Sequence, residues 1–240
     1  MSGHSHAKTI AHAKGIADAK RGSIFSKFGR LISIAAKDGG DPIINSKLRM
    51  ILEQAKKFNM PKENIERAIK RGTGELAGEN LEEVSYEGFG PGGIALIISG
   101  ITDNTNRTLG EVKSILNQNN GKMAGQGAVA WMFDRKGEIK INNEEKTIKK
   151  EDFELKAIDA GADDIQWEES EIYVYTKPEE LEEVKKTLEE KGFTAESASL
   201  SYIAKEEVEL SEKEKEQAEK LFEALDNNDA VNDIYSNLKS

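Results

Sequence analysis

Cysteine is absent from the 240 residues, and histidine occurs only at His4, His6 and His12. No thiolate, disulfide or cysteine-ligated metal is available. Beyond residue 12 no imidazole can serve as a base near neutral pH. The three histidines could touch a metal, but a terminal segment seldom preorganises ligands, so no metal is assigned. Nothing in the spacing of Asp, Glu and Lys marks a catalytic cluster, and the chain reads as non-enzymatic, with no cofactor. The chemistry left is electrostatic. Residues 1–74 carry 15 Lys and Arg against 6 Asp and Glu, a formal +9; the remaining 19 basic and 38 acidic residues give −19, hence the overall −10. A basic module joined to an acidic body binds polyanions through one end and repels them at the other. The candidate phosphate contacts are Lys8, Lys14, Lys20, Arg21, Lys27 and Arg30. No helix carries the Asn, Gln and Arg pattern that reads base edges, so backbone binding is expected.

A second constellation lies in "YEGFGPGGIALIISGITDNTNRT", residues 86–108. "GFGPGG" lacks the Lys-Ser/Thr ending of a P-loop and precedes its strand, whereas a dinucleotide-binding loop follows one. Gly88, Gly90, Gly92 and Gly93 are read as permitting close backbone approach. Asn104 and its neighbours offer helix caps. Arg107 either pairs with Asp103 or points to a partner's phosphate or carboxylate. With Lys122 and Arg135 from "GKMAGQGAVAWMFDRKG", these residues form a candidate partner surface.

These residues need scaffolds. The first quarter reads as helical, with one segment in "HAKTIAHAKGIADAKRG" and another in "SIFSKFGRLISIAAKDGG". In the latter Ile24, Phe28, Leu31 and Ala35 form an apolar stripe, while Arg30 and Lys37 share a face with Ser26 and Ser33. Helices follow in "NSKLRMILEQAKKF" and, from Pro61, in "MPKENIERAIKRG", where Glu63–Arg67 and Glu66–Lys70 are spaced as i,i+4 pairs. "GTGELAGEN" reads as a hinge. Then come a buried strand in "GGIALIISGI", a helix in "NRTLGEVKSILNQNN" with Leu109, Val112, Ile115 and Leu116 inward, and a strand in "GAVAWMFD". Residues 135–201 read β-α-β-β-α-β, a ferredoxin-like order. "SYIAKEEVEL", a helix and "AVNDIYSNL" complete a second such set, interrupted by the first. The expected class is therefore α+β with three domains: a basic helical bundle over 1–78, a discontinuous α/β domain over 79–134 plus 202–240, and an inserted ferredoxin-like domain over 135–201. Trp131 and Trp167 are read as core or interface residues. A 37% hydrophobic content suffices for such cores, and no apolar run approaches the ~20 residues that span a bilayer.

"GHS" at 3–5, "DAKRGSIF" at 18–25, "GGDPIINSKLR" at 39–49 and "NMPKENIERAIKRGTGE" at 59–75 resemble the YebC/PmpR family. So do "YEGFGPGG" at 86–93, "TDNTNRTLGEVK" at 102–113, "GAVAWMFDRKG" at 127–137, "AGADD" at 160–164 and "YSN" at 235–237. That family includes the mitochondrial translational activator of cytochrome c oxidase. The resemblance covers nearly the whole chain. It implies three domains, a cytoplasmic location and no established catalytic residues. It also implies a regulator of gene expression that binds DNA, with a ribosome-associated factor contacting ribosomal RNA as the alternative. Its basic N-terminal residues align with Lys14, Lys20, Arg21, Lys27 and Arg30. The family's Lys-Trp after the opening Gly-His-Ser is replaced by His6-Ala7, and its basic patch is reduced to "AHAK" at 11–14. The partners expected are nucleic acid, either DNA or ribosomal RNA and in the latter case the ribosome, with no membrane and a monomeric chain. A reading of another class is an acidic protein-interaction scaffold.

Overall fold

The computed structural model describes residues 18–239, with side chains from Arg21 onward. Lys8, Lys14 and the three histidines lie outside the described residues; so does the side chain of Lys20.

Helix α1 (Asp18–Ala35) is one continuous rod that passes through Gly22 and Gly29. The break expected before Ser23 is not there. Glycine costs a helix about 1 kcal/mol, and the burial of Ile24, Phe28, Ile32 and Ala35 along one face outweighs it. These side chains pack on Leu48, Leu52 and Ala55 of α2 (Ser46–Lys57) and on Ile65 and Ala68 of α3 (Lys62–Gly72). Asn45 caps α2 by accepting from the Leu48 N–H at 2.9 Å. The crossing of α1 and α3 is close: a Cβ on Gly72 would stand 2.3 Å from the Ser33 carbonyl oxygen. Ser33 Oγ, itself buried, donates to the Ala68 carbonyl at 2.9 Å.

The chain continues through β1 (Glu82–Phe89), β2 (Ala95–Thr102), α4 (Thr105–Gln118) and β3 (Lys122–Met123). It then runs through β4 (Phe133–Asn142), α5 (Lys150–Asp159), β5 (Asp164–Trp167), β6 (Glu171–Thr176), α6 (Leu181–Glu190) and β7 (Ala195–Ala204), and closes with α7 (Glu212–Asp226) and β8 (Val231–Ser236). Two compact units result. One is Asp134–Ile203; the other joins the described chain up to Phe133 with that from Ala204 onward.

In the larger unit the strand order is β3-β1-β2-β8. β1 and β2 form an antiparallel hairpin, with Glu82 opposite Thr102 and Phe89 opposite Ala95. Ile94, Leu96 and Ile98 pack with Val112 and Leu116 of α4 and Leu221 and Leu225 of α7. The β-α-β-β-α-β order expected here does not hold. Strand β1 occupies a stretch without a strand pattern, and "SYIA" extends β7 of the other sheet. Residues 127–129 form no strand because their N–H groups are diverted: Glu87 on β1 accepts from Gly127, Val129 and Ala130 at 2.6, 2.7 and 3.0 Å. Leu109, expected inward, is 42% exposed, and Trp131 is 68% exposed.

The smaller unit has strand order β5-β6-β4-β7, with β6 antiparallel to both β4 and β5. Phe153 of α5 anchors its core, edge-on to Trp167 at 5.6 Å and to Phe193 at 4.8 Å. The fold class is α+β: a helical region followed by two β-sheet regions. No helix of the described residues is long and apolar enough to cross a membrane.

Candidate nucleic-acid interface

Helix α1 lines a groove with a strip of small residues, Gly22, Ser26 and Gly29 toward its open side and the buried Ser33 against α3. Gly22, Ser26, Gly29 and Ser33 fall at successive helical turns, and a Cβ at Gly22 or Gly29 would meet nothing within 4 Å. With α3 alongside and residues 77–81 on the far wall, the strip floors this groove of about 940 Å³. Arg30, Lys37, Arg67 and Arg71 line it; the acid among its lining residues is Glu79. The Arg71 stem lies against Gly78, where an added Cβ would be 3.3 Å from the Arg71 Cγ.

The four cations differ in freedom. Arg30 Nη1 donates to the Asp229 carbonyl at 2.6 Å, and Lys37 Nζ donates to the Leu81 carbonyl at 2.6 Å. Each keeps further donors, since a guanidinium has five N–H groups and an ammonium three. Arg67 and Arg71 are exposed and have no ion-pair partner among the described residues. The spacing of Glu63–Arg67 and Glu66–Lys70 suggests local pairs. Instead Glu66 pairs with Lys62 at 3.6 Å rather than with Lys70, and no Glu63–Arg67 pair forms among the described residues; Arg67 lines the groove. Sequence reasoning finds the Arg30–Lys37 face but misses Arg67 and Arg71. Their i,i+4 spacing on an amphipathic helix is the available signal.

Lys27 is a correction. It is 2% exposed, and its Nζ donates to Asp226 twice: to Oδ1 at 2.8 Å and to the carbonyl at 2.6 Å. An ammonium at the last carbonyls of α7 is favourably placed by the helix dipole. It fastens α1 to α7 and displays nothing to solvent. Arg21 is exposed, at the groove's Gly22 end.

The glycine segment is also largely internal. Gly88 and Gly90 are buried. A Cβ on Gly88 would lie 2.9 Å from the Lys122 carbonyl, and one on Gly92, at φ 66°, would lie 2.3 Å from Leu210. These residues turn the β1–β2 hairpin, closed by Gly90 N–H to the Ile94 carbonyl at 2.8 Å. Gly88 and Gly90 are therefore withdrawn from the partner surface, while Gly92, Gly93, Lys122 and Arg135 are exposed. Arg107 donates to the Asp103 carboxylate and lies 3.7 Å from Glu111. The Arg107 hydrogen bond holds the Asp103 carboxyl below its ordinary range; the positive charge of Arg30 adds to the effect.

Residues 5–75 match the family model of the TACO1/YebC N-terminal domain, and residues 81–238 match that of the TACO1/YebC second and third domain. A probable transcriptional regulatory protein of Geobacter sulfurreducens is 48% identical over 238 residues, 99% of this chain and 95% of its own. Another, of Listeria monocytogenes, is 43% identical over 99% of this chain and 98% of its own. The crystal structure of a conserved hypothetical protein from Aquifex aeolicus superposes with a TM-score of 0.87 at 43% identity, covering 98% of this chain and 97% of that one. The relatives' names are regulatory, not enzymatic.

Proposed function

The chain belongs to the TACO1/YebC family, and from that premise we propose that it is a nucleic-acid-binding regulator of transcription whose α1–α3 groove holds the phosphate backbone of duplex DNA. The observation that carries this reading is the convergence of Arg30, Lys37, Arg67 and Arg71 on one groove whose lining, among the described residues, holds a single acid, Glu79. Arg21 extends the cationic line past Gly22, and Lys8, Lys14 and Lys20 add to it by charge alone. The groove bears no set of Asn and Gln side chains for base edges, so contacts position the duplex and do not read it. The acidic remainder repels the polyanion elsewhere and so orients it. Gly92, Gly93, Asp103, Arg107 and Lys122 of the larger unit are kept as candidate partner contacts outside the groove, and Arg135 as one on the smaller unit by itself. We further assign three domains, over 1–78, over 79–134 with 202–240, and over 135–201. The strand order β5-β6-β4-β7 supports a ferredoxin-like design for the last.

The test is fluorescence anisotropy of labelled duplex DNA across a salt series, with ribosomes titrated at matched salt. Four phosphate contacts give a log K against log salt slope of about −3.6. Tight ribosome binding with negligible duplex binding at the same salt would replace the transcriptional reading with the translational one.

A further inference from the structure

The loop between α1 and α2 presents two adjacent branched apolar side chains to water: Ile43 is 83% exposed and Ile44 is 86% exposed. Scattered apolar side chains on a surface need no explanation; a neighbouring pair on a braced loop is different. Asp41 holds this loop through both its side chain and its backbone. Its carboxylate accepts from the Ile43 N–H at 2.8 Å, and its carbonyl accepts from Ile44 and Asn45 at 3.2 and 2.9 Å. The Asn45 amide donates to the carbonyls of Ala35 and Gly39, both at 2.8 Å, and Arg49 donates to the Pro42 carbonyl at 3.4 Å. Proline fixes one further dihedral. The side chains are thus held out by a frame of hydrogen bonds, with little backbone entropy left to lose on binding.

The loop also adjoins the groove. Gly40 sits against α3, where a Cβ would be 2.8 Å from Thr73 Cγ2 and 3.1 Å from Ile69 Cγ2. Lys37, three positions before Gly40, and Arg71 and Gly72, which precede Thr73 in sequence, line the groove itself. The cations of the groove, Lys37 and Arg71, favour a polyanion as occupant despite the loop's two acids, Asp38 and Asp41, the latter with its carboxylate turned to the Ile43 N–H. We propose that Ile43 and Ile44 form an apolar wedge that enters a base step of the duplex DNA lying in the α1–α3 groove, partly unstacking it. Cationic contact on the backbone combined with an apolar insertion is the physical recipe for kinking a duplex. A pyrimidine–purine step such as TA opens at least cost. This inference rests on the DNA reading above. It adds a source of preference, deformability, that the base-blind groove lacks.

The experiment uses the full chain and a duplex with 2-aminopurine beside a TA step. Binding is expected to raise the 2-aminopurine emission. Ile43→Ser with Ile44→Ser should weaken binding roughly tenfold or more, because serine buries far less apolar surface between the bases. It should also abolish the rise while keeping the salt slope. Ile43→Leu with Ile44→Leu should keep both. Both pairs change exposed side chains, so folding is not the readout. Duplex binding with no rise, or a serine pair that behaves as wild type, overturns the wedge and leaves the DNA reading standing. No duplex binding at all overturns both. A serine pair that dissociates self-associated chains in sedimentation, with the duplex signal unchanged, assigns the tip to a second copy and overturns the wedge.

Discussion

Replacing Lys27 by methionine separates a strut from a phosphate contact. The substitution keeps most of the aliphatic stem and its packing and removes the charge. Two hydrogen bonds go, to Asp226 Oδ1 at 2.8 Å and to the Asp226 carbonyl at 2.6 Å. Hydrogen bonds involving a charged group contribute about 1.5–3 kcal/mol each. The Lys27 side chain is 3% exposed but that of Asp226 is 36% exposed, so the carboxylate recovers part of its hydration. The net loss is about 2 kcal/mol. For a chain of this size that lowers the melting temperature by about 4–8 °C. Lys27→Glu should cost more, because it sets a second carboxylate against Asp226. Thermal and urea unfolding give the stability, and anisotropy well below the melting point gives affinity. The expected result is a less stable protein whose surviving native fraction binds duplex DNA as before. Unchanged stability with weakened binding would refute the strut and return Lys27 to the phosphate-contacting set.

Three further outcomes are expected. Gly72→Ala forces a methyl to within 2.3 Å of the Ser33 carbonyl oxygen and 2.6 Å of the Ala36 Cβ; it should destabilise the helical region by about 1–3 kcal/mol, read by urea denaturation. Burial works to raise the Glu87 carboxyl, but its three backbone N–H bonds outweigh this and hold it below the ordinary carboxylate range. Its stabilising contribution is therefore complete above its unfolded value and is lost as pH falls through the lower folded one. Acid titration should release the loop of residues 124–132 in that window, seen in Trp131 fluorescence with Trp167 replaced by Phe, and Glu87→Ala should abolish the pH-dependent step. Arg107→Ala should leave folding nearly unchanged, since its pairs with Asp103 and Glu111 are exposed and surface ion pairs contribute little; a melting curve checks it.

Helices α2, α3 and α4 are legible because their apolar residues recur at 3.6 spacing and because Asn45 and Asn104 mark the starts of α2 and α4. The strands of the smaller unit are legible from short branched and aromatic runs. Strand β1 is not: Glu82, Glu83, Ser85, Glu87 and three glycines of residues 86–92 carry no strand pattern. It is made a strand by pairing along its whole length with β2. The failure at residues 127–129 has a single distant cause, the Glu87 carboxylate some forty positions earlier. Lys27 and Arg30 look equivalent on one basic helix. Their fates are set by Asp226 and Asp229, each 199 positions further along the chain, and no local pattern carries that. Arg67 is easily passed over because Glu63, four positions before it, suggests a local pair; no such pair forms among the described residues, and the pair this helix does form is Lys62–Glu66.

The most direct measurement compares two double reversals with the same change in net charge: Arg67→Glu with Arg71→Glu inside the groove, and Lys56→Glu with Lys57→Glu on α2 outside it. Duplex affinity and its salt slope are read for both by anisotropy. Loss of binding confined to the groove pair, with the α2 pair close to wild type, is the expected result. An equal loss from the two pairs would mean that overall charge, and not this groove, holds the polyanion.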